Sequence, residues 1–410
     1  VNDLFEKLKD VFAAAALKYL KPVDANPKKS NQHEIGGLIQ AGLGEHLPCP
    51  RDGSKTFLQA TMFYLDDYCD EPVLVEDQLS WYDCRYKDVN REPEWRLYYK
   101  RNAVTEKIRE TDFMLVAVTH KGDLLIMFCP QHSHTEVQLR SIFGVIGIEV
   151  GTELTSAKLD ASRIVAPVRL MLARYGVELD IYRLKDESLQ KRVIKKFGAE
   201  FPSTRKFSDF ARTLSKDLSA VEAPDETLLQ WMNDEEHIFR MLERHIVKQR
   251  LLEGFGEDVD AFICVSLSIQ NRRKSRVGHA FENHIEECLK LNGIVYERGV
   301  RTEGKQKPDF LFPGRVAYLD SDYPESELRI LGAKTTCKER WRQVLAEAAR
   351  VKQKHLITME PSVSVDQTAE MKEKGVQLVV PLPIQETYKA EQLEGLMSFK
   401  QFISLLRRGG

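Results

Sequence analysis

No two cysteines in this chain stand at CxxC spacing; all seven are isolated, at 49, 69, 84, 129, 264, 288 and 337. An odd, scattered set argues against a disulfide framework and a four-thiolate zinc site, and fits a reducing compartment. Cys129, His132 and His134 form the closest approach to a soft-metal cluster, but no fourth ligand accompanies them, so no metal is expected there. No apolar run approaches the roughly 18–20 residues that a membrane span requires, so no membrane partner is expected. The apolar stretch 11–17 is interleaved or closely flanked by Lys7, Lys9, Asp10 and Lys18, and predicts an amphipathic helix over 1–20 rather than a secretion signal. The chain opens on Val1, consistent with an absent initiator or tag. An excess of charge of one sign is also missing: 60 basic residues against 62 acidic ones leave a net charge of −2. Nucleic-acid binding must therefore come from local clusters of positive charge.

The length of 410 residues and 42% hydrophobic content suffice for two compact domains, with no internal repeat or low-complexity tract. Residues 21–34 are polar, with two prolines, and predict a loop. From 35 to 150, short apolar runs alternate with turn residues, as at 57–64, 113–118 and 124–129, predicting a β-rich domain. Helices are expected over 154–176 and 187–197, a boundary near 199–205, and a strongly helical stretch over 207–254. In that stretch Leu228, Leu229, Met232, Ile238, Phe239, Leu242 and Ile246 recur at helical spacing. After 293 the pattern turns to short strands separated by helices (294–298, 308–312, 329–335, 355–359, 376–380), which predicts an α/β domain with a central mixed sheet. The expected division is 1–175, a linker over 176–200, and 201–410.

The chemically richest segment begins at Lys307. Asp309 starts a predicted strand, with Phe310 and Phe312 facing away from it; Lys334 lies on the next strand; Glu347 follows on an expected helix. Phosphodiester hydrolysis needs a hard divalent cation held by carboxylate oxygens, which neutralises charge on the phosphoryl oxygens and activates water. A lysine beside it can orient the attacking water. Two carboxylates and one lysine on adjacent elements meet that requirement. A further acid, Glu282, lies on a predicted helix over 278–290, sharing a face with Glu286 at i,i+4; Glu286 is expected to be solvated. On that helix His279 and His284, five apart, do not share a face.

Four runs carry a resemblance: NRRKSRVGHAFE (271–282), KPDFLFP (307–313), KTTCKERWRQVLAEA (334–348) and GVQLVVP (375–381). In order and spacing they resemble the EcoRII-type restriction endonucleases, a branch of the PD-(D/E)xK nuclease superfamily. The resemblance implies an active site of Asp309, Lys334 and Glu347, with Glu282 as an accessory acid and Tyr318 as a neighbour. Asp309, Glu347 and Glu282 would hold Mg²⁺. In that family the glutamate has moved from beside the lysine onto the helix; here Gly332 stands two residues before Lys334.

Lys338, Glu339, Arg340 and Arg342 open the expected Glu347 helix. Arginine can bond guanine O6 and N7 in bidentate fashion, and a carboxylate can accept from cytosine N4, so the group suits G·C pairs. Arg340, Gln343 and Glu347 would share one helical face. Arg272, Arg273, Lys274 and Arg276 put four positive charges at an expected helix start, where an external phosphate would relieve them. Residues 82–101 interleave six basic residues with aromatics, but four acids dilute the charge. By resemblance this stretch belongs to an effector-DNA-binding, barrel-like domain with Arg85, Arg91 and Arg101 as DNA contacts.

The expectation is a bacterial, cytoplasmic, Mg²⁺-dependent endonuclease acting on double-stranded DNA at a C·G-rich site. By resemblance it is a homodimer in a restriction–modification system, its methyltransferase encoded separately. The N-terminal domain would bind a second, effector DNA and restrain the catalytic one. The rivals are a catalytically lapsed DNA-binding regulator, a nicking or repair nuclease on the same fold, and an interaction module without a nucleic-acid role.

Overall fold

The computed structural model describes residues 7–25, 34–67, 73–88, 90–145, 150–157, 159, 187–215, 217–255, 258–303, 306–337 and 340–408. Packing divides the chain into two compact units, 2–168 and 169–410. Among the described residues no helix is long and apolar enough to cross a membrane.

The first unit contains α1 (Leu8–Val11), β1 (Phe12–Tyr19), α2 (Pro22–Ala25), β2 (Glu34–Gly36), β3 (Thr56–Tyr64), β4 (Val73–Asp83), β5 (Trp95–Tyr98), β6 (Phe113–Thr119), β7 (Leu124–Cys129), α3 (His134–Ile142) and β8 (Thr155–Ala157). Eight strands form one mixed sheet in the order β2-β5-β4-β3-β7-β6-β1-β8. All pairs are antiparallel except β3 with β7. Every residue of β6 and β7 is buried, as expected of central strands covered on both faces. Ile35 near one edge and Ala16 near the other share a single apolar core with Trp81, Leu97 and Ile126, so the sheet curls around its own interior. This is the β-rich, barrel-like unit expected from the alternating runs.

The helix expected over 1–20 is corrected. Among the described residues a single turn, α1, precedes β1, which lies between β6 and β8 with Ala15 opposite Ala117 and Ala157. A strand buried on both faces reads as a continuous apolar run, and its tertiary pairing overrides the helix propensity of alanine. The charge at Lys18 is kept inside by a 2.7 Å bond to Asp24. Of the helix expected over 154–176, the described part is mostly β8; residues 160–176 lie outside the described residues.

The second unit contains α4 (Glu187–Phe197), α5 (Thr204–Arg212), α6 (Pro224–Glu253), α7 (Val259–Leu291), β9 (Glu297–Arg298), β10 (Phe310–Phe312), α8 (Arg315–Leu319), β11 (Arg329–Ala333), α9 (Arg342–Leu345), β12 (Lys354–Ile357), α10 (Val365–Glu373), β13 (Val376–Val379), α11 (Leu382–Gln385), α12 (Ala390–Leu393) and α13 (Phe399–Arg408). Of the expected linker, 176–186 lies outside the described residues. Val193 and Phe197 of α4 pack with Phe207, Phe210 and Phe239 in one helical core, so this part belongs to the second unit.

Its five strands run β13-β12-β11-β10-β9, parallel from β13 to β11 and antiparallel onward to β9. Side chains alternate between the two faces of a strand. One face carries Phe312 and His355, both against Phe402 of α13 at ring separations of 5.7 and 4.9 Å. The other carries Gly332, whose α-carbon lies under Val344 of α9.

Candidate active site

The sheet's register brings the candidate residues together. Phe310 of β10 pairs with Leu331 of antiparallel β11, so the residue before β10 lies beside the end of β11. Alternation puts Asp309 and Lys334 on the Gly332 face, opposite Phe310 and Phe312. Lys334 Nζ donates to Asp309 Oδ2 at 2.7 Å, and the Ala333 amide donates to the same oxygen at 2.7 Å. Both side chains remain partly open to solvent.

Glu347 reaches this face differently from the sequence expectation. The helix expected to carry it is a single four-residue turn, α9, closed by i→i+3 bonds, and Glu347 comes two residues after it. Arg340, Gln343 and Glu347 therefore do not form one helical stripe. An ideal Cβ at Gly332 would meet Val344 Cγ2 at 2.7 Å. Close packing of α9 on the sheet leaves no free space for a side chain at 332 unless Val344 shifts.

The Glu347 side chain is buried, and its Oε2 has no hydrogen-bond partner. Burial, and then the charge of Asp309, push its carboxyl up to about 7; Lys334 and Lys354 pull the other way. An orphaned carboxylate oxygen repelled by a second carboxylate is a donor set suited to a hard cation. Mg²⁺ is commonly held by one or two carboxylates plus waters and substrate phosphate, which fits Asp309 and Glu347. Among the described residues no three His, Cys, Asp or Glu side chains form a closed metal cluster. This covers Cys129, His132 and His134, where the two histidine backbone amides donate to Glu136 and Asp67.

The other site candidates are placed less centrally. Arg298 donates to Glu282 at 2.7 Å, to Glu286 at 2.8 Å and to Asn283 at 2.9 Å. Glu282 would have to release Arg298 to reach a cation. Glu286 is not the solvated acid expected from sequence. Burial opposes its charge, but Arg298, Lys290 and Arg205 outweigh it and hold its carboxyl below the usual range. The Tyr318 hydroxyl donates to Glu303 and accepts from the Arg350 amide at 3.3 Å. Burial and Glu303 push that phenol up to about 12. Tyr318 therefore stands behind Glu347, on the backbone that follows it.

The basic run 272–276 is also corrected, because α7 begins at Val259 and the run lies in mid-helix. Arg273 donates to Glu243 at 2.8 and 2.7 Å, and Arg276 is buried against Glu235, Glu236 and the Phe239 ring. Arg272 is exposed, over the Phe201 ring at 4.6 Å, and the Lys274 side chain lies outside the described residues. The awkward charge at a helix start does not exist; acids of α6 neutralise much of the run. Lys338 and Glu339 lie outside the described residues. Arg340 is exposed with no acidic partner among the described residues, whereas Arg342 donates to Glu370 at 3.1 and 3.0 Å. In the first unit, Arg85 pairs with Glu94, Arg91 with Asp88 at 3.3 Å and Arg101 with Glu106 at 2.8 Å. Arg91 and Arg101 are the most exposed of the three.

Sequence reasoning missed Lys354 and Glu303, which hold the turn after Glu347. Neither belongs to a motif; only the fold brings them to that turn.

Residues 239–403 match the family described as EcoRII C terminal. The chain is 44% identical over 184 residues to the type II restriction enzyme EcoRII of Escherichia coli, covering 45% of each protein. The match thus spans about half the length of that relative. Among solved structures, metal-depleted Ecl18kI in complex with uncleaved, modified DNA gives a TM-score of 0.44 at 19% identity, covering 55% of this chain and 85% of that one. The PspGI–substrate DNA complex gives 0.42 at 16%, covering 51% and 93%.

Proposed function

We propose, from the premise that residues 239–403 belong to the EcoRII C-terminal domain family, that the chain is a Mg²⁺-dependent restriction endonuclease cutting double-stranded DNA at a C·G-rich site. The observation carrying this is the convergence of Asp309, Lys334 and Glu347 on one sheet face, with one Glu347 oxygen unpartnered.

Asp309 and Glu347 would hold the cation, which when bound supplies Lewis-acid neutralisation of charge growing on the scissile phosphate. Asp309 also anchors Lys334, whose ammonium orients the attacking water towards phosphorus and offsets the negative charge of the transition state. In-line attack leaves a 5′-phosphate and a 3′-hydroxyl. Arg340, exposed just before α9 and with no acidic partner among the described residues, would read a guanine edge; Arg272 and Lys307 would contact phosphates. A homodimer supplies one site per strand. The curled first unit binds effector DNA through Arg85, Arg91 and Arg101, which must exchange their acidic partners for phosphates. A bacterial cytoplasm, with the methyltransferase encoded separately, completes this reading.

Incubation with a plasmid of known sequence, followed by mapping of both strands' ends, tests it. Double-strand breaks at a fixed site are expected with Mg²⁺ and none with EDTA. Lys334→Ala should bind DNA specifically but not cut it. Undiminished cutting by that variant, or by the wild type in EDTA, would overturn the mechanism.

A further inference from the structure

The turn after Glu347 is unusual in its backbone and in what holds it. Ala348 is buried at φ 47°, a left-handed conformation that a residue with a Cβ rarely adopts unless its surroundings impose it. Lys354 Nζ, itself buried, donates to the Ala348 carbonyl at 2.8 Å and to the Val351 carbonyl at 2.6 Å. From another direction Glu303 accepts the Ala349 amide at 3.2 Å and the Tyr318 hydroxyl, and Tyr318 accepts the Arg350 amide. The backbone from 348 to 351 is thus gripped by side chains from β12, from α8 and from the segment before β10. Burying an ammonium is costly. A methionine would fill similar space without that cost, so the two carbonyls it serves call for an explanation.

We propose that Lys354 and Glu303 are positioning residues for Glu347: together they clamp residues 348–351 and so set the direction of the Glu347 carboxylate and the affinity of the divalent cation. This rests on the reading of Asp309 and Glu347 as cation ligands. Groups that orient metal ligands commonly change metal affinity by about 10–100-fold when removed. Electrostatics alone has the opposite sign, because deleting a positive charge beside a cation site should tighten binding. For Lys354 the direction of the effect therefore separates positioning from simple charge repulsion; for Glu303, where both act in the same direction, Glu303→Ala serves only as a test that wild-type affinity would fail.

The test titrates the full chain with Mn²⁺ alone, reading free Mn²⁺ by electron paramagnetic resonance. Lys354→Met should weaken binding at least about tenfold, and Lys354→Arg should recover most of the loss. Glu303→Ala, at an exposed position, should leave the fold intact and weaken binding several-fold. Metal-free affinity for DNA should not change in any of these. Unchanged or tighter Mn²⁺ binding in folded Lys354→Met overturns the proposal; should that variant not fold, wild-type affinity in Glu303→Ala does so. Asp309→Asn is the separate control. If it binds Mn²⁺ like the wild type, the ligand reading itself fails, whatever the clamp variants do.

Discussion

On the proposed reading, replacing Glu347 with glutamine should stabilise the metal-free second unit at alkaline pH and abolish its stabilisation by Mg²⁺. The folded carboxyl is raised from 4.5 to about 7, by burial first and by Asp309 second. Below pH 4.5 Glu347 is protonated whether folded or unfolded, and contributes nothing. Between 4.5 and 7 the unfolded chain ionises while the folded one resists, so stability falls as pH rises, levelling off above 7. At about 1.4 kcal/mol per pH unit the ceiling is about 3 kcal/mol. Screening on the cleft side reduces this to about 1–2 kcal/mol. Glutamine keeps the shape without the charge. Hydrogen exchange at β10 and β11 should slow by about 5–30-fold in Glu347→Gln relative to wild type at pH 8 in EDTA. After correction for intrinsic exchange, the difference should close by pH 5. Mg²⁺ at one hundred times its Kd should stabilise the wild type by about 2.7 kcal/mol, and the variant hardly at all. Faster exchange in the variant at pH 8, or a gap of equal size at pH 5 and pH 8, would refute the account of a strained, cation-seeking carboxylate.

Gly332→Ala should overpack against Val344, costing about 1–3 kcal/mol and displacing α9 and the turn bearing Glu347. The double variant Gly332→Ala/Val344→Ala should recover stability beyond additivity in thermal melts; strict additivity would deny the contact. Arg340→Ala should lose about 1–3 kcal/mol at one base pair and relax discrimination there, measured by binding to a panel of single-base variants. A uniform loss across the panel would mark a phosphate contact instead. Truncation should succeed at 187 and fail at 201, because removing 187–200 strips Val193 and Phe197 from the helical core. If effector control operates through occlusion, the 187–410 fragment should also cut single-site DNA faster than the full chain.

What was legible in the sequence follows from the range of the forces involved. The β3, β6 and β7 runs and the five strands after 293 declared themselves because alternation and burial act on neighbouring residues. Asp309 and Lys334 could be placed on adjacent strands for the same reason. The misreadings share one cause, partners far away in sequence. Residues 12–19 are a strand because β6 and β8 flank them, which no local propensity records. The run 272–276 broke the apolar stripe of α7 and imitated a helix start. Its acids, Glu235, Glu236 and Glu243, lie 30 or more residues earlier on α6. Lys354 and Glu303 sat in unremarkable charged stretches, and only the turn they serve gives them a meaning.

The migration of the second acid has a consequence for how reading and cutting connect. Gly332 lies close under Val344, so a side chain there would have to displace it, and the Glu347 carboxylate is carried instead by the connection from β11 to β12. That same connection carries Arg340. It is tied down at Cys337, whose amide donates to the buried carboxylate of Glu360, and at Ala348 and Val351 through Lys354. Between those anchors only residues 341–346, most of them in α9, separate Arg340 from Glu347. On the proposed roles, a shift of Arg340 on meeting the wrong base would be passed through residues 341–346 to Glu347. An acid on the strand would be insulated from such a shift. The placement therefore favours coupling cation binding to base recognition: a mismatched base at the Arg340 position should weaken Mn²⁺ affinity in the protein–DNA complex as well as DNA affinity. Equal Mn²⁺ affinity on matched and mismatched DNA would show that the two ends of the connection act independently.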